Sequence, residues 1–209
     1  MATLLQLRTK LNGEIGVATD AEAAPWSVTT RNNAISDGYA ALWRVGVWKP
    51  VTVDIAATGL RAYAVTGMRR LNRAELLDSS GGLIERTAAY IEPDGAGGYQ
   101  VLVPEISTGY TLRLYGWTAY VSTFANDAAS DDLEAEYNRI PLLKAKAILY
   151  RAQLASFARY GERQAVAPQM NLTVDQLLGV IAACEREFAD EAGVLAGLRL
   201  RGGNVVRVP

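Results

Sequence analysis

IPLLKAKAILYRAQLASFARY, residues 140–160, is the longest helical pattern in the chain that is apolar on nearly every face, and its reading decides the fold. Pro141 suits a first helical turn, where a missing N–H costs nothing. Five alanines with leucine and isoleucine clusters give high intrinsic helicity. The charges, Lys144, Lys146, Arg151 and Arg159, are long enough to snorkel outward. Gly161 supplies a C-terminal stop. A helix this apolar needs partners on several sides, and the flanking sequence should provide them.

Upstream, Leu4, Leu7, Leu11 and Ile15 recur at helical spacing, so a first amphipathic helix is expected there. Residues 19–25, TDAEAAP, read as a turn or short linker. Ser27 can cap a second helix whose stripe is Val28, Ile35, Tyr39 and Leu42, with Gly46 closing it. Downstream, Thr173 and Gln176 have the spacing of a capping box. Val174, Leu177, Ile181, Cys184, Phe188 and Leu195 then form a heptad-like stripe. The acidic stretch 126–136, NDAASDDLEAE, leads back into the central helix.

Between these helices the pattern changes. VTVDI, residues 51–55, alternates with period two and reads as a strand. Six of the ten tyrosines lie between Tyr63 and Tyr120. SSGG at 79–82 and PDGAGG at 93–98 are turn signals. Between them ERTAAYIE reads as one strand, returning into YQVLVP and later YTLRLYGWTAYV, where Gly116 marks a bulge or bend. The expected class is α+β, without the βα alternation of a nucleotide-binding fold. A helical bundle of two N-terminal and two C-terminal helices occupies 1–50 and 126–198. An antiparallel β-meander, small sandwich or barrel is inserted at 51–125, and an extended C-terminal tail covers 199–209.

The totals exclude more than they assign. With 21 basic and 22 acidic side chains, nothing global would draw the chain onto nucleic acid, though local patches remain open. There is no histidine, which removes the usual base near neutral pH and the commonest metal ligand. The one cysteine, Cys184, falls on an apolar stripe and reads as a core residue without a base to activate it. No disulfide framework, signal-peptide layout or membrane-length apolar run is present, so a soluble product used without translocation is expected. PDGAGG lacks the ending of a phosphate loop. The spacing of Asp127, Asp131, Asp132, Glu134 and Glu136 fails the calcium-loop pattern. No catalytic residue, cofactor or metal is expected.

Two basic features remain. Arg61, Arg69, Arg70, Arg73 and Arg86 concentrate positive charge in the sheet region. They are either solvent-facing strand charge or, with Arg69, Arg70 and Arg73 foremost, an edge for docking a partner or DNA. The terminal RLRGGNVVRVP is β-prone and basic. Arg199, Arg201, Val205, Val206, Arg207 and Val208 could add a strand to another subunit, or simply fray.

In layout the chain resembles the head–tail connector (adaptor, or head-completion) proteins of tailed bacteriophages. The likeness rests on the opening leucine-spaced helix and the PWS…AL-W helix at 25–43. It continues in YTLRLYG at 110–116 and in the acidic linker entering IPLLKAKAILYRAQLASF. It implies a virion protein made in the host bacterial cytoplasm, with no enzymatic role and no membrane. It further implies a homo-oligomeric ring, usually a dodecamer, bridging a portal to a stopper or tail-completion protein while double-stranded DNA passes. The C-terminal segment would insert into a neighbour. The alternatives are a stopper or tail component of the same neck, or a carbohydrate- or nucleic-acid-binding β module on a helical scaffold.

Overall fold

The computed structural model describes residues 1–17, 20, 26–160 and 173–203, and of 156–160 and 200–203 the backbone alone. Among the described residues, four α-helices and two antiparallel sheets make an α+β chain, neither sheet closing into a barrel. It divides into two units: Met1–Val47 with Tyr120–Gly202, and a β unit whose described core is Trp48–Ala119.

In the helical unit, α1 (Leu4–Ile15) and α2 (Val28–Arg44) begin where the sequence offers caps. The Thr3 hydroxyl accepts from the Gln6 N–H while Gln6 answers to the Thr3 N–H, and Ser27 accepts from the Thr30 N–H. Two further N-terminal donors of α1, Leu4 and Leu5, reach the carbonyls of Ala129 and Asp127. The acidic stretch therefore closes the start of α1 as well as leading into α3.

The central helix α3 spans Arg139–Tyr160 and α4 spans Val174–Gly203. One core joins Leu7 and Leu11, Ile35 and Leu42, Leu142 and Leu149, and Leu177, Phe188 and Leu195 from the four helices. The all-round burial of α3 ends near Tyr150, for Arg151, Ala152 and Ala155 are exposed. Trp26 marks that point: its indole N–H donates to the Leu149 carbonyl at 3.1 Å, and its ring meets Tyr150 edge-on. Lys144 does snorkel, to Glu185 at 2.8 Å, and Arg139 and Arg151 also pair with acids on α4. The Thr173–Gln176 capping box is formed.

Gly38 sets how closely α2 approaches α3. A Cβ there would lie 2.2 Å from the Pro141 carbonyl oxygen. Beside this contact Tyr39 donates to Asp131 at 2.5 Å, and Asp131 also accepts from the Ala2 N–H. Burial and the Asp131 charge push the phenol of Tyr39 upward.

A second polar cluster fastens α1. The buried Arg8 pairs with both Asp127 and Asp20 at 2.7 Å. Hydrogen bonds from Arg8 hold both carboxyls below the usual carboxylate value. Folded values below unfolded ones mean a contribution complete above the unfolded pKa, near 3.8, and lost as pH falls through the folded values. The helical unit should therefore hold a constant melting temperature from pH 7 to about pH 5 and lose it progressively below about pH 4. Arg8→Met should flatten that acid limb in a melt followed by circular dichroism. An unchanged limb would deny the cluster this role.

The β unit has seven strands: β1 Lys49–Ala56, β2 Ala62–Val65, β3 Arg70–Leu77, β4 Leu83–Thr87, β5 Tyr90–Pro93, β6 Tyr99–Leu102 and β7 Thr111–Thr118. They form a four-stranded sheet, β1-β7-β3-β4, and a three-stranded one, β2-β6-β5. Both contribute to one core containing Tyr63, Val65, Leu76, Val101, Leu112 and Leu114. The entry and exit strands pair along their whole length, from Lys49 opposite Thr118 to Ala56 opposite Thr111. The two turns lie where the sequence places them. One Oδ of Asp78 accepts from the Ser80 and Gly82 N–H groups, and Asp94 does the same for Ala96 and Gly98, all at 2.8 Å.

Four expectations need correction. ERTAAYIE is two strands, β4 and β5, in different sheets, with a break at Ala88–Ala89. Strands β2 and β3 lie in a region where no strand is read; β2 is only four residues long, and Arg69–Arg73 at the start of β3 shows no clean alternation. The β unit stops before 125, because Tyr120 and Phe124 belong to the helical core. The tail is not extended from Arg199: α4 continues through Gly203. Gly202 and Gly203, which the sequence reading has releasing the tail, are the last two residues of that helix. Arg199 is tied back to Glu134.

Candidate functional site

Strand β7 alternates cleanly. Leu112, Leu114 and Gly116 turn into the core, so Arg113, Tyr115 and Trp117 take the opposite face. On β1 their partners are Asp54, Thr52 and Pro50. On β3, Arg70 and Arg73 are three residues apart and in an unbroken strand would point to opposite faces. The register breaks between Leu71, opposite Gly116, and Arg73, opposite Tyr115, leaving Asn72 without a β7 partner. This bulge returns Arg73 to the side occupied by Arg70. Gly116 permits it, since a Cβ there would lie 2.1 Å from the Arg70 carbonyl oxygen and 2.8 Å from the Met68 sulfur.

The result is an outer face of arginine and aromatic rings. The Arg70 guanidinium carbon lies 4.4 Å over the Trp48 ring centre, and that of Arg73 lies 4.0 Å over Tyr115. Each such contact contributes about 0.5–1 kcal/mol where exposed. Trp48 in turn leans on Trp117, with centroids 5.6 Å apart. Arg113 grips Asp54 through two hydrogen bonds of 2.8 and 2.7 Å, holding that carboxyl below its usual range. Glu75 lies between Arg73, at 3.3 Å, and Arg86 of β4, at 4.0 Å. Four guanidiniums thus meet two carboxylates.

Acidic and basic side chains are equal in number across 48–119, so the excess on this face is a matter of sorting. Asp78 and Asp94 are committed to their own turns, Glu92 accepts from Gln100, and Glu105 faces Arg61. The β unit also has an open hollow of about 360 Å³ lined by Arg61, Tyr90, Leu102, Val103 and Pro104, with Arg61 its one charged side chain.

Of the residues singled out from sequence, Arg70, Arg73 and Arg86 come together here. Arg69 lies just before β3, exposed, its N–H donating to the Trp117 carbonyl at 2.9 Å. Arg199 is on α4 with Glu134, and Arg201 is in the last turn of that helix. Val205, Val206, Arg207 and Val208 lie outside the described residues. Sequence reading passes over Trp48, Arg113, Tyr115 and Trp117. The signal for the last three is the R-x-Y-x-W alternation at 113–117, interleaved with the apolar L-x-L-x-G at 112–116.

The acidic stretch 126–136 has structural work: Asp127, Asp131 and Glu134 pair as described, and Asp132 accepts from the Val121 N–H at 2.8 Å. Among the described residues no group of three or more Cys, Asp or Glu could hold a metal ion, and no helix is long and apolar enough to cross a membrane.

No protein-family model matches the chain, and no curated protein matches it. Among solved structures it is similar to a chain from the virion of the native gene transfer agent (GTA) particle. The two share 16% identity over 84% of this chain and 86% of that one, at a TM-score of 0.29. That is a weak likeness, short of a common fold.

Proposed function

We propose that the chain is a structural, non-enzymatic component of a tailed-phage-like virion, acting through its surfaces at the head–tail junction. The observation that carries this reading is how the chain is divided. A helical unit closes its core on itself, and an inserted β unit sorts its arginines onto one open face. Such a chain presents a surface to something large. The connector resemblance in YTLRLYG and IPLLKAKAILYRAQLASF supports this assembly, and those segments supply most of the inner strand β7 and most of α3.

In this reading identical copies form a ring, a dodecamer, between the portal and a stopper or tail-completion protein, and modest contacts add up through symmetry. Rings should be visible by negative stain or light scattering, alone or on a portal ring. A clean monomer that ignores the portal would overturn the reading. Deleting 204–209 should reduce portal attachment at least tenfold while leaving the helical melt unchanged, because the removed residues follow the end of α4. The arginine face also favours a second reading, a nucleic-acid-binding β module on a helical scaffold. That reading requires a monomer that binds DNA and no portal.

A further inference from the structure

We infer that the outer face of the four-stranded sheet binds the phosphodiester backbone of duplex DNA, without regard to sequence. The inference deepens the virion reading and rests on it only for where the DNA would be met. Its chemistry comes from Arg70, Arg73 and Arg86, with Arg113 held in reserve by Asp54.

Three features select the occupant. First, a guanidinium offers a planar fork of donors that matches phosphate oxygens and is weakly hydrated. Second, the rings are already engaged: Arg70 lies over Trp48, Arg73 over Tyr115, and Trp117 packs against Trp48. Unstacked bases of a single strand find no open aromatic platform there, whereas a duplex backbone needs none. Third, the hollow described in the β unit is lined by none of these four arginines, whereas most protein interfaces centre on a buried aromatic anchor in a pocket. A polyanion whose charges lie on its own surface fits these conditions. The bulge at Asn72 makes the arrangement specific, since it brings Arg70 and Arg73 to one side. Bulges recur in sheets where a side chain must be re-aimed.

The test measures binding of the full chain to a fluorescein-labelled duplex of mixed sequence by anisotropy, across a salt series starting near 20 mM. Three neutralised phosphates give a slope of log K against log salt of about −2.7. Arg70→Gln with Arg73→Gln should weaken binding at least tenfold and flatten the slope by about two. Asp54→Asn should release Arg113, strengthen binding several-fold and steepen the slope by about one. This gain-of-function arm cannot arise from misfolding. No duplex binding at 20 mM salt would overturn the inference. So would binding indifferent to all three substitutions, a preference for single strands, or a preference for polyglutamate over duplex. Ring formation and portal attachment are read separately, so the virion proposal can survive the loss of this one, and the reverse.

Discussion

Gly116→Ala should destabilise the β unit by at least about 3 kcal/mol, at or beyond the upper end of ordinary overpacking. The added methyl carbon would lie 2.1 Å from the Arg70 carbonyl oxygen, and a backbone atom cannot rotate aside. Strand β3 must move off β7 or surrender the bulge at Asn72, and either change separates Arg70 from Arg73. The readouts are the near-ultraviolet dichroism of the Trp48–Trp117 pair and the thermal transition of the β unit. The helical transition should move little. A variant with the wild-type tryptophan spectrum and a melting temperature within a degree or two would show that the sheet absorbs the methyl group. The bulge would then not depend on the missing side chain.

Gly38→Ala should be as damaging to the helical unit, again about 3 kcal/mol or more. Its Cβ would fall 2.2 Å from the Pro141 carbonyl oxygen and 3.1 Å from the carbonyl carbon, with the Ala145 nitrogen at 3.4 Å. All three atoms are main chain, so α2 must lift from α3. Lifting it also pulls Tyr39 from Asp131, which leaves a buried carboxylate short of a donor, a further cost of order 1–3 kcal/mol. Helical dichroism should report an early, broadened melt. Wild-type stability would mean that the two helices slide apart without penalty. The substitution adds the best helix former to an ordinary helix, so propensity alone points the other way by about 1 kcal/mol. The sign of the result therefore separates packing from propensity.

Sequence pattern exposes α1, α2 and α4 well because each has a one-sided apolar stripe, and Ser27 and Thr173 are caps of known chemistry. It also located the two aspartate turns, whose signatures are local. It failed at β3, and for a physical reason. A bulge adds one residue to the period, so R-L-N-R scrambles the alternation by which strands are recognised. The same irregularity hid half of the candidate site. Arg70 and Arg73 were visible as charges, but their shared face depends on a residue left unpaired and on a glycine in another strand. The aromatic partners were legible on β7, and Trp48 was not, since its place over the sheet follows from pairing β1 with β7. The tail reading starts too early, at Arg199, because nothing in R-L-R announces that α4 carries on to the glycines at 202–203.

The full-length pairing of β1 with β7 also bears on how the chain folds. The two halves of the helical unit are separated by about 70 residues, and bringing the ends of such a loop together carries an entropy cost that grows as (3/2)RT ln n. Once β1 and β7 are zipped, the ends of α2 and of the segment entering α3 are already close, and the effective loop shrinks to a few residues. That change lowers the closure cost by about 2.5 kcal/mol. The insert is thus a staple for the helices that bracket it. A chain whose β1–β7 ladder is weakened should fold its helical unit more slowly, although the ladder contains no helical residue.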